Sequence, residues 1–131
     1  MNNICFYTSF MFIIPIVVAF ILDVKIIALT STLCFITSVI NHYYENNNQL
    51  ALTIDIIVVR TIAILHILYA LYRYKFSNRV MILSYIASII TVKIYLDIHE
   101  NNLFEYHYFV HYFSVCGILF YIFAIYYADL L

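Results

Sequence analysis

Three histidines, one aspartate and one serine carry most of the chemistry this sequence offers. In EYHYFVHYF, residues 105–113, His107 and His111 stand four apart, so a helix would present both imidazoles on one face. Ser38 and His42 repeat that spacing in SVINH, and Asp55 follows in the next apolar run. Neutral imidazole is the commonest metal ligand. A catalytic zinc typically takes three protein ligands and keeps a fourth position for water. His42, His107 and His111 are therefore a candidate Zn²⁺ set, with two ligands on one rigid helix as in the H-E-x-x-H motif. Asp55 would act as general base for a water whose pKa the metal brings toward about 7. Ser38 would hydrogen-bond that water or a developing oxyanion. The competing reading is that His107 and His111 are interfacial side chains at a tyrosine-rich helix end. Either pair by itself does not decide between the two.

The elements that position these residues follow from composition. Of 131 residues, 66% are hydrophobic and 10% charged, and the mean hydropathy is +0.99. A soluble domain carries about 25% charged residues, so this chain has too little polar surface to coat a water-soluble globule. The expected fold is all-α, a polytopic transmembrane bundle of about five helices forming a single domain over residues 1–131. A spanning helix needs about 20 mostly apolar residues, and the apolar runs cover 4–22, 26–40, 50–72, 80–96 and 103–127. Polar connections separate them, among them NHYYENNNQ (41–49), RYKFSNR (73–79) and DIHENN (97–102). The first run has no basic leader and no small-residue cleavage pattern, so it reads as a membrane helix rather than a signal peptide. Cys5, Cys34 and Cys116 are odd in number and far apart, which speaks against a disulfide framework and for small buried hydrophobes. A net charge of −1 gives no reason to propose nucleic acid as a partner, and no basic stripe supports one.

Helix parity then sets depth. His42 closes the second helix at the face where the third and fifth begin, so His42, Ser38, Asp55, His107 and His111 all fall in one leaflet. Lys25, Arg73, Lys75 and Arg79 gather on the opposite face. The positive-inside rule makes that face cytoplasmic, with the N-terminus non-cytoplasmic and the C-terminus cytoplasmic. Ionisable residues inside a membrane are costly and mark function by default. Arg60 lies about 7.5 Å deeper than Asp55 and about 140° around the helix, so it needs a partner on another helix or a wet cavity. His66 reads as a buried histidine bonded to a backbone or hydroxyl oxygen. Glu45, His99, Glu100 and Glu105 read as solvated on the outer face, Glu105 also as a weak candidate for orienting a ligand histidine. Lys93 reads as a snorkelling side chain.

Ser38-x-x-x-His42 at one helix end, Asp55 early in the next, and His107-x-x-x-His111 opening the last resemble the signature of the CREST superfamily, which includes alkaline ceramidases and progestin and adiponectin receptors. The resemblance covers five residues and their order. It implies that His42, His107 and His111 bind zinc, that Asp55 and Ser38 partner the catalytic water, and that the substrate is a membrane lipid amide, ceramide-like, cut from the non-cytoplasmic side. The family has seven helices where this chain offers five, so the resemblance implies a shortened member in which a homo-oligomer could replace the missing wall. Three other readings stand beside it: a non-catalytic interaction or structural protein that keeps the metal-site fold, a haem-binding bundle with two axial histidines, and a bundle with no site.

Overall fold

Backbone N–H and C=O groups find no water in hydrocarbon, so an apolar run crosses it only by closing its hydrogen bonds internally. The computed structural model describes residues 4–44 and 47–130, and five helices account for nearly all of them. They are α1 (Ile4–Ile21), α2 (Lys25–Tyr43), α3 (Gln49–Arg73), α4 (Arg79–Glu100) and α5 (Tyr108–Leu130), the last preceded by a 3₁₀ turn at Phe104–Tyr106. No strand occurs among the described residues. All five are long and apolar enough to span a bilayer, which makes the chain an all-α, multi-pass membrane protein. Glu45 lies outside the described residues.

Local chemistry sets the helix ends. Asn48 caps α3 by accepting hydrogen bonds from the Leu50 and Ala51 amides, both at 3.1 Å. Asn78 does the same for α4 through the Met81 amide at 2.8 Å. α1 and α4 end on left-handed residues, Asp23 (φ 57°) and Asn102 (φ 56°). The next amide in each case reaches back to close the helix, Val24 N to Ala19 O at 2.8 Å and Leu103 N to Ile98 O at 2.9 Å, as a Schellman motif requires. In α1 the helix tightens to 3₁₀ over Phe10–Phe12, one turn before Pro15, whose ring crowds the carbonyl four residues earlier and whose nitrogen donates nothing.

The apolar runs understate three helix ends. α2 continues beyond residue 40 through His42 to Tyr43, and α4 beyond 96 to Glu100, while α5 begins at Tyr108 and ends at Leu130. Neither NHY nor DIHE holds a glycine or proline, so nothing stops the helix where apolarity stops. The sequence DIHENN is thus mostly a last helical turn rather than a loop.

α1 packs between α2 and α5, α2 carries α3 on its other side, and α4 lies along α5. Phe12, Ala19, Ile27, Met81 and Ile122 centre the core. Gly117 on α5 faces Ala87 on α4, and a Cβ built there would lie 3.9 Å from the alanine's. Small residues allow such approach between membrane helices. By contrast α3 and α4 meet over a much shorter seam. Large apolar side chains such as Phe20, Leu29, Ile57 and Ile89 point outward. Cys116 is also exposed while Cys5 and Cys34 are buried, which corrects the expectation that all three are buried; facing lipid costs a small apolar thiol little. At the end remote from the histidines, the Tyr74 hydroxyl donates to the Asp129 carboxylate at 3.1 Å and Tyr85 donates to Lys75 O at 2.7 Å. Burial, with Tyr69 and Asp129 alongside, pushes the Tyr74 phenol above its ordinary range, so it stays a donor.

Candidate metal centre

His42 projects from the last turn of α2, His107 from the junction between the 3₁₀ turn and α5, and His111 from the first turn of α5. One ligand nitrogen from each lies within 4.8 Å of the other two. The ring centroids form a near-equilateral triangle, 5.4 Å for His42–His107, 5.0 Å for His42–His111 and 5.2 Å for His107–His111. A tetrahedral zinc with nitrogens at 2.0–2.1 Å holds them about 3.4 Å apart, so modest side-chain rotation brings the triangle to coordination distance.

Two observations fit a metal to this triangle. The Nε2 atom of His42 is buried with no hydrogen-bond partner, an arrangement that costs free energy unless something occupies the position. His111 has an outer partner. Its Nδ1 lies 2.8 Å from Thr8 Oγ1, whose hydroxyl also reaches Cys5 O at 3.2 Å. With the hydroxyl proton on Cys5 O, Thr8 accepts from His111 Nδ1–H and Nε2 carries the lone pair. Outer partners that fix ligand tautomers typically change metal affinity 10–100-fold when removed. Thr8→Val should accordingly weaken zinc binding about 10–100-fold in competition with a chromophoric chelator, while Thr8→Ser should restore it.

Asp55, on the second turn of α3, is buried and held by three donors from α2. Thr37 Oγ1 and Ser38 Oγ donate to Oδ1 at 2.9 and 3.1 Å, and Asn41 Nδ2 donates to Oδ2 at 3.0 Å. Spacing explains the set, since Thr37, Ser38 and Asn41 lie three and four residues apart on one helical face. The Asn41 Oδ1 atom is buried and unpaired. One cavity of about 330 Å³ collects Ser38, Asn41, His42, Asp55, His107 and His111 in its wall. All five residues singled out from the sequence thus share one chamber, although Ser38 bonds to Asp55 rather than pointing freely at the triangle.

Four residues that the sequence did not assign to the site belong to its surroundings: Thr8, Thr37, Asn41 and His99. His99 was expected on the solvated outer face. It is half-buried and lines the cavity, because the extra turn of α4 carries it inward. Its Nδ1 lies 2.8 Å from Tyr95 O, and its ring packs 5.6 Å from that of His107. Glu100 and Glu105 are exposed as expected, and so is Lys93. His66 finds its hydroxyl, Thr30 Oγ1, at 2.6 Å. Arg60 finds a partner on another helix, Tyr95 of α4, with Nε 3.3 Å from the hydroxyl.

No protein-family model matches this chain, and neither the curated proteins nor the solved structures contain a significant match to it.

Proposed function

We propose that this protein is a zinc-dependent intramembrane hydrolase of a lipid amide, ceramide-like in chemistry, built as a shortened relative of the CREST superfamily. The observation that carries the reading is the convergence of three imidazole nitrogens within 4.8 Å on a chamber that also holds the Asp55 carboxylate. Zinc, when bound, polarises a carbonyl and makes water a nucleophile near neutral pH. His42, His107 and His111 would hold it. Asp55 would take the proton of the attacking water and pass it to the leaving amine as the carbon–nitrogen bond breaks. Thr37, Ser38 and Asn41 keep the Asp55 carboxylate in position. The free Asn41 Oδ1 is placed to accept from a substrate hydroxyl or amide. The mostly apolar wall, with Phe12, Leu52, Ile56 and Val110, suits an acyl chain. With Lys25, Arg73, Lys75 and Arg79 on the cytoplasmic face, the chamber opens in the non-cytoplasmic leaflet. Pairing of two copies would supply the wall that five helices lack, and native mass spectrometry reads that stoichiometry.

A second reading, a metal-holding membrane protein without turnover, is favoured by one observation: both oxygens of Asp55 already accept hydrogen bonds from α2. Elemental analysis of the detergent-purified protein, beside fatty-acid release from a ceramide series, tests both. About one zinc per chain with chelator-sensitive release supports the hydrolase. One zinc and no release from any lipid amide supports the second reading. Folded protein without zinc overturns both.

A further inference from the structure

Arg60 sits near the middle of α3, the 25-residue helix Gln49–Arg73, and it is exposed. A lipid-facing guanidinium at that depth is costly unless it is paired. Among the described residues no carboxylate lies within 4.0 Å of it; the one ion pair is Lys25–Asp23 at the α1–α2 turn. The nearest acid along its own helix, Asp55, faces α2 and is occupied there, whereas Arg60 faces α4. Its contact is Tyr95, with the guanidinium carbon 5.4 Å from the ring centroid and Nε 3.3 Å from the hydroxyl. That contact uses one of five guanidinium donors. The tyrosine oxygen accepts the bond, so its own proton remains for a further acceptor.

The position matters because Tyr95 lines the histidine chamber, as do Ile56 and Val59, the latter adjoining Arg60. Arg60 is not in the chamber wall itself but flanks it at the short seam between α3 and α4, against Tyr95 and next to Val59. A second cavity of about 90 Å³, sharing Phe12, Val59 and Ser114 with the first, extends along the same seam. Largely apolar walls beside a cation that no carboxylate pairs with among the described residues match one ligand chemistry, an acyl chain bearing an anion.

We propose that the α3–α4 seam binds an acidic lipid, whose carboxylate or phosphate pairs with Arg60 beside the Tyr95 hydroxyl while its chain occupies the adjoining cavity. The inference rests on the reading of the chamber as a lipid site and adds, beside the neutral amide substrate, a seam that takes lipids carrying an acidic group. It does not depend on the metal.

The test uses detergent-solubilised full-length protein stripped of metal with a chelator, so that coordination of an acid by zinc cannot contribute. Binding of oleate is compared with oleyl alcohol, and of lysophosphatidic acid with monoacylglycerol. At least one acidic member should bind about tenfold or more tightly than its neutral partner, and the pair that shows the preference identifies carboxylate or phosphate. Arg60→Gln should abolish the preference and Arg60→Lys should keep most of it. Because the preference is read on metal-free protein, its presence or loss is independent of zinc content and of fatty-acid release, which separates this inference from the hydrolase reading. Equal binding of acidic and neutral lipids by the wild type overturns the proposal, whatever the variants do. So does a preference that survives Arg60→Gln.

Discussion

Replacing His107 and His111 together by alanine is expected to eliminate stoichiometric zinc and, with it, hydrolysis. Structural zinc sites bind with about 10–16 kcal/mol over four ligands, or about 3 kcal/mol for each. Losing two of three ligands should then lower affinity by about 6 kcal/mol, roughly four orders of magnitude. The helices should survive the change, because their hydrogen bonds are internal to each segment and among the described residues the two side chains bond to no helix backbone. Circular dichroism of the variant should match that of metal-free wild type while elemental analysis reads no zinc. One zinc per chain in the double variant would mean that the ion sits elsewhere, and the histidine triangle would then be ordinary packing.

Asp55→Asn separates chemistry from architecture. The substitution keeps the side-chain shape. Its new amide group would meet the Asn41 Nδ2 donor, but Asn41 carries an unpaired Oδ1 on the other arm of its own amide. A flip of Asn41 restores the bond with the donor reversed. Stability should therefore fall by only about 1 kcal/mol and zinc content should stay at wild-type level. Proton transfer should be lost, and general acid–base catalysis is typically worth 10²–10⁴-fold, so release of fatty acid should drop by that factor. Asp55→Ala is different. It leaves Ser38 and Asn41 without their acceptor, while Thr37 keeps Cys34 O at 3.3 Å, and each buried unsatisfied donor costs about 1–3 kcal/mol. A shift of the thermal midpoint in Asp55→Ala but not in Asp55→Asn, with activity lost in both, is the expected pattern. Full activity in Asp55→Asn would assign the carboxylate a purely structural role.

The sequence by itself determined the number of helices, because five apolar runs alternate with short polar connections, although the run at 26–40 reaches spanning length only as α2 continues to Tyr43. It also determined depth. Once helices alternate direction, His42, Asp55, His107 and His111 must share a leaflet, whatever the packing. The same count places Thr8, two turns into α1, in that leaflet, so a signal for it was present. Asn41 was likewise marked by standing four residues after Thr37 and three after Ser38.

Azimuth and the ends of α2 and α4 were settled only by tertiary structure. In a soluble helix an apolar stripe names the buried face, but a membrane helix is apolar on both its lipid face and its packed face, and hydrophobicity does not choose between them. That Asp55 turns to α2 while Arg60, five residues on, turns to α4 follows from which neighbours stand on each side. That His99 lines the chamber follows from α4 continuing through DIHE to a left-handed asparagine at 102, since a helix ends where its backbone turns and not where its side chains become polar. The short seam between α3 and α4, which gives Arg60 its exposure, depends on how well two lipid-soluble surfaces interlock. Packing of that kind is a property of pairs of helices, and no single segment of the chain contains it.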